Sequence, residues 1–267
     1  MRRVVSLLLA ALVFTGCNSP IGIMLGFGHT PVKPAVTIDI LCDFDAGGTC
    51  TADNLRETLD RVLPSLTNRP GSSLRLWAMG NELGDTMLLA TASVPSPTRR
   101  KNMQRAAWTR FTTTTRSLFL NAYAALSDTR HRHKSPIAES LTRVAWAADG
   151  PSERYCLVLT DAREYSGIGG DLECGALPAA TTFTRQLQRH HVLAPQSLRG
   201  VSVAFCFVTI GTIDGRRCDS TLERSDKVRE LWITTLRAAV ATRVFYSTAF
   251  PHLYGFEVSH DTDLQAH

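Results

Sequence analysis

Residues 36–251 predict an α/β domain, a doubly wound and mainly parallel sheet with one antiparallel edge strand and helices on both faces. Three observations lead there. Short apolar runs (VTIDILC, YCLVLT, VSVAFCFVTIG) are continuous rather than alternating, as strands covered on both faces are. Amphipathic stretches of helical period separate them. One pair of apolar runs, 73–80 and 86–94, is separated only by the turn-rich GNELGD, which suits an antiparallel edge.

In chain order, VTIDILC forms the first strand and stops at Asp43. A helix follows with Leu55, Leu59, Val62 and Leu63 on one face, Thr51 as N-cap and Pro64 near its end. SLRLWAMG and TMLLATASV are the paired strands, residues 99–126 are mostly helical, and Ile137, Leu141, Val144 and Ala145 mark another helix face. YCLVLT ends at Asp161, and VSVAFCFVTIG spans 201–211. A helix from about Asp226 carries Val228, Leu231, Trp232, Leu236 and Val240, and RVFYSTAF closes the domain. His190 and His191 stand at a helix end, where they answer the helix dipole. Residues 252–267 read as a polar tail.

Residues 1–16 read as a signal peptide: Arg2 and Arg3, an apolar run from Val4 to Phe14, then Thr15-Gly16. The run is too short for a membrane span. The VFTGC ending resembles a bacterial lipoprotein processing site, which implies lipidation of Cys17 and makes 17–35 a tether. With Asn18 following, that resemblance implies the outer membrane, periplasmic side, if the envelope has two membranes. Removing Arg2 and Arg3 leaves 27 basic against 24 acidic residues, so charge gives no reason to expect nucleic acid. Seven cysteines are present, and six remain beyond Cys17. An even number in an exported chain fits disulfides, with Cys42–Cys50 and Cys174–Cys218 as candidate pairs. Cys156 and Cys206 lie inside apolar strands and equally suit buried free thiols.

In parallel sheets ligands gather at the carboxyl ends of the strands, where Asp43 and Asp161 both lie. Three segments meet the eye together: DFDAG at 43–47, KSPIAESL at 134–141 and LVLTDARE at 157–164. In order and spacing they resemble the metal-site segments of von Willebrand factor A (vWA) domains: an Asp-x-Ser-x-Ser turn, a Thr or Ser opening a later helix, and an Asp ending the fourth strand. The resemblance covers 36–251. It implies a binding module rather than an enzyme, a protein partner at the carboxyl edge, and Mg²⁺ or Mn²⁺ held by oxygens of Asp43, Asp45, Ser135 and Asp161. The first motif departs from the pattern. With Asp43 leading, Asp45 and Gly47 replace the two serines; with Asp45 leading, Gly47 and Thr49 stand there. The apolar run favours Asp43, the distance to the helix at Leu55 favours Asp45, and Asp43 is preferred.

Each residue also has a plainer reading: Ser135 as an N-cap before Pro136, Asp161 as an acceptor for loop amides, Asp43 and Asp45 as solvated or arginine-paired. A metal-free structural scaffold is therefore one alternative. The other is a haloacid dehalogenase-like phosphatase, whose Asp-x-Asp-Gly-Thr motif DFDAGGT also resembles. It implies Asp43 as nucleophile, Asp45 as general acid/base, Mg²⁺, and Thr209 or Thr212 on phosphate. Inserted residues displace its threonine, and the lysine and acidic pair it needs are missing. Nine basic residues between Arg99 and Lys134 face only Asp128, and RHRHK at 130–134 precedes Ser135. His131 and His133 would there meet an acidic partner group.

Overall fold

A computed structural model describes residues 33–44, 49–67, 69–80, 83–98, 100–127, 134–147, 153–172, 174–208 and 221–251. Cys17, Asp45, His131, His133, Thr209, Thr212 and Cys218 lie outside the described residues, as does the tail from 252.

The elements run β1 (Thr37–Cys42), α1 (Ala52–Ser65), β2 (Ser73–Ala78), β3 (Met87–Ser93), α2 (Lys101–Ser127), α3 (Ile137–Trp146), β4 (Arg154–Leu159), β5 (Tyr165–Ser166), β6 (Gly170–Asp171), α4 (Ala180–Arg189), β7 (Val201–Cys206), α5 (Leu222–Ala238) and β8 (Arg243–Tyr246). The main sheet has the order β3-β2-β1-β4-β7-β8. Every pairing in it is parallel except β2 with β3 at the edge. The expected fold class is the one observed. β1, β4 and β7 are buried throughout, which explains their continuous apolar runs.

Alternate side chains of these strands feed two cores. Ile38, Ile40, Leu157 and Ala204 pack against Leu55, Leu59 and Val62 of α1 and Phe119 of α2. Leu41, Val158, Val203 and Phe205 pack on the other face against Leu141 of α3, Phe183 of α4 and Trp232 of α5. Thr51 caps α1 as expected, its hydroxyl accepting from the Asn54 amide at 3.1 Å. Several boundaries differ from expectation. β7 stops at Cys206 rather than running to 211. α5 ends at Ala238 and leaves Val240 outside it and exposed. α5 starts at Leu222 rather than near Asp226, because Thr221 caps it through the Arg224 amide. β8 ends at Tyr246, short of Phe250.

One side chain breaks the apolar pattern of β1. Asp39 is fully buried on the α3 face. Arg75, its register partner on β2, grips it through two bonds, Nε to Oδ1 at 2.6 Å and Nη2 to Oδ2 at 2.9 Å. Trp77 Nε1 donates to Oδ1 at 2.8 Å, and Arg154 Nη2 from β4 to Oδ2 at 2.9 Å. The two guanidiniums then reach the end of α3. Arg154 donates to the carbonyls of Val144 and Ala145, at 2.9 and 3.3 Å, and Arg75 to that of Ala147 at 2.9 Å. Terminal helix carbonyls have no partner within the helix and form the negative end of its dipole. One carboxylate thus orients two cations that hold α3 onto the sheet.

Replacing Asp39 by Ala leaves two buried guanidiniums without a counter-ion, so a loss of about 3–5 kcal/mol is expected. Urea denaturation measures it. A loss below about 1 kcal/mol, the worth of an ordinary surface pair, would remove the network from its central place.

Candidate functional site

The carboxyl ends of β1 and β4 lie side by side, and the Asp43 amide extends their ladder by donating to the Leu159 carbonyl at 3.1 Å. Asp43 is buried. Ser135 Oγ donates to its Oδ1 at 3.3 Å and Thr160 Oγ1 to its Oδ2 at 2.9 Å. These contacts join residues 92 and 117 positions apart in sequence. The three segments singled out from the sequence therefore converge on one carboxylate.

Ser135 is not the N-cap of α3. That position belongs to Pro136, which offers no side-chain cap. Ser135 stays outside the helix because its backbone pairs with Tyr165 in an isolated β-bridge, with both N–H···O bonds at 3.0 Å. The bridge extends the small hairpin β5–β6, which sequence periodicity does not reveal because each strand has two residues. Its hydroxyl is thereby left to face Asp43.

The loop after β4 turns sharply at Ala162, whose φ of 64° is in the left-handed region. Two contacts hold it: the Ala162 amide donates to Thr160 Oγ1 at 3.2 Å, and Trp232 Nε1 of α5 donates to the Ala162 carbonyl at 2.7 Å. Asp161 then folds back onto its own loop. Its Oδ1 accepts from the Arg163 amide at 3.0 Å, and its Oδ2 stands 3.8 Å from Arg163 Nε. Both side chains are buried. Their charges are felt at Tyr246 on β8, whose hydroxyl is pushed up first by burial, further by Asp161, and drawn back by Arg163.

Two buried carboxyls that the sequence reading did not single out lie behind Ser135. Glu164, fully buried, accepts the Ala138 amide on Oε2 at 3.0 Å and so supplies the cap that Pro136 cannot. Glu139, in the first turn of α3, is buried beside it, and both stand near the Ser166 hydroxyl. A β-carbon on Gly169 would lie 2.4 Å from Glu164 Cγ, so glycine is required where the hairpin closes over this pair. Burial pushes both carboxyls above the ordinary glutamate range. The Glu139 charge raises Glu164 further, while the Ala138 amide and Ser166 oppose the rise there. At Glu139 the hydrogen bond with Glu164 opposes it most, followed by its own backbone, Ser166 and the Lys134 charge.

The Cys42–Cys50 disulfide forms as anticipated, with Cα atoms 5.4 Å apart, and clips the loop that leaves Asp43. Cys174 is disulfide-bonded too, with its partner outside the described residues. Cys156 and Cys206 are free buried thiols.

Whether this arrangement fits a divalent ion turns on its oxygens. Both oxygens of Asp43 already accept hydroxyl hydrogens, and Asp161 faces its own loop amide and a guanidinium. Among the described residues no group of three or more His, Cys, Asp or Glu is placed to hold a metal. The described donors do not fit an Mg²⁺ or Mn²⁺ shell as they stand.

No protein-family model matches the chain, and no curated protein matches it. Solved structures do. The chain is similar to BatB, a conserved hypothetical protein from Bacteroides thetaiotaomicron, at 9% identity over 80% of this chain and 91% of that one, TM-score 0.40. It is similar to an aerotolerance-related membrane protein from Bacteroides fragilis at 9% identity, 82% and 92% coverage and TM-score 0.42. It is similar to the pilus adhesin SpaC of Lactobacillus rhamnosus GG at 11% identity, over 82% of this chain and 28% of that one, TM-score 0.41. At such identities and scores the functional reading rests on the site itself.

The glutamate pair generates a pH prediction. Because both folded-state pKa values are raised, the fold binds more protons than the unfolded chain above the ordinary glutamate value. Stability from this pair is therefore greatest below that value and falls as pH rises through the raised pKa. Glu164→Gln can accept the Ala138 amide and donate to Glu139 at any pH. Relative to the wild type it should gain about 1–2 kcal/mol between acid and neutral pH, followed by thermal melts. Parallel wild-type and variant profiles would contradict the pairing.

Proposed function

We propose that the chain is a von Willebrand A-like binding module, exported and held to the cell envelope by lipid on Cys17, that takes a protein partner at the carboxyl edge of its sheet. The observation that carries this reading is the junction at Asp43. Three segments, matching the vWA pattern in order, meet there through Ser135 and Thr160. The strand order, with one antiparallel edge, suits the same reading.

Asp43 behaves as a clasp between loops in this arrangement. A phosphatase nucleophile needs an oxygen directed at phosphorus, whereas both Asp43 oxygens accept hydroxyl hydrogens. Tyr165, 36% exposed beside Ser135, offers an aromatic contact at the edge. The RHRHK run before Ser135 makes an acidic partner group the better match. No described helix is long and apolar enough to cross a membrane.

Site-specific photo-crosslinking in cells tests the edge. A photoreactive residue at Tyr165 should give a discrete protein adduct that is lost with Asp43→Ala, while one at exposed Arg199, before β7 at the opposite end of the sheet, should give none. Equal adducts at both positions, or none at Tyr165, would sink the reading. In the same cells labelled palmitate should mark the wild type and not Cys17→Ser.

A further inference from the structure

We propose that Arg163 is the resident cation of this site, a guanidinium standing against Asp161 in place of the divalent ion that the vWA resemblance implies. The inference deepens the binding-module reading and rests on it for the identity of the site. Arg163 follows Asp161 by two residues, and the left-handed turn at Ala162 folds its amide back onto Asp161 Oδ1 at 3.0 Å. Its side chain stays with the same carboxylate, Nε lying 3.8 Å from Oδ2, and is itself only 6% exposed. Trp232 locks the turn through the Ala162 carbonyl, so the placement follows from the packing of α5 rather than from a mobile surface side chain.

A buried carboxylate needs a compensating positive charge. A guanidinium is a permanent one, whose ionisation never fails in a protein. A divalent ion entering beside it would meet like-charge repulsion at short range in a poorly screened site, and would have to detach Asp161 from its own loop amide. The departures at the first motif agree: where the vWA pattern has hydroxyl ligands, this chain has Asp45 and Gly47. The edge then needs no metal to be assembled, and its geometry is independent of the divalent ions around it.

Mn²⁺ binding to the full chain, followed by electron paramagnetic resonance, tests this without any partner, so its failure is distinguishable from failure of the crosslinking test. The wild type should show no site that responds to Asp161→Asn. Arg163→Met should show Mn²⁺ binding at Asp161 where the wild type shows none, and the double variant Arg163→Met/Asp161→Asn should lose it. Wild-type Mn²⁺ binding abolished by Asp161→Asn would overturn the proposal, and needs no Arg163 variant to be folded. A folded Arg163→Met that gains no affinity would overturn it as well.

Discussion

The bidentate pairing of Asp39 with Arg75, completed by Arg154 and Trp77, is the interaction on which the rest of the structure depends. It places a carboxylate inside the apolar run of β1, at the middle of the sheet. Burying three charged side chains is costly, and the pair alone would be weak grounds for stability. The cost is offset because each Asp39 oxygen accepts two hydrogen bonds and the guanidiniums are shared with the helix, although Arg154 Nε is left without a partner among the described residues. Two strands supply the guanidiniums, an indole completes the acceptor, and the spare N–H groups end on the carbonyls of α3. The dipole of α3 favours positive charge at that end. A helix that an apolar stripe would merely hold against the sheet is fixed in rotation and height.

From that anchor the site follows. The C-terminal end of α3 is held by arginines and the N-terminal end by Glu164, which captures the Ala138 amide. Between the helix start and β5, the backbone of Ser135 is pinned to Tyr165, and its hydroxyl falls on Asp43. Thr160 reaches the same carboxylate from β4. On the far side of the β4 loop, Trp232 fixes the turn that pairs Asp161 with Arg163. The edge is therefore preorganised by packing and hydrogen bonds from α3, α5 and two strands.

Much of this was legible in the sequence, for reasons that particular residues make plain. VTIDILC, YCLVLT and VSVAFCFVTIG announce buried parallel strands because both their faces are covered. Asp43, Ser135 and Asp161 stood out because a polar residue ends each apolar run or opens the next helix. Asp39 did not, although it sits inside one of those runs. Its meaning depends on the register that brings Arg75 opposite and Arg154 diagonal, and register is not written in a single strand. Glu139 and Glu164 are hidden for a similar reason, since Glu139 is one acid in a helix start, Glu164 follows the charged run TDAR, and their pairing exists only after α3 docks. The β5–β6 hairpin is too short to show any period, yet it turns Ser135 from an N-cap into a ligand of Asp43. Arg163 lies only two residues from Asp161, yet only the left-handed turn at Ala162 shows that the two side chains belong together.

The claim that the sheet-centre network holds the distant edge is open to a direct measurement. Native-state hydrogen exchange, resolved by residue, would be compared between the wild type and Asp39→Asn. The account predicts faster exchange at the Ala138 amide and at the paired amides of Ser135 and Tyr165, as well as around β1 and β2, because loosening one end of α3 releases the other. Acceleration confined to β1, β2 and the C-terminal turn of α3, with the Ser135–Tyr165 bridge unchanged, would contradict it.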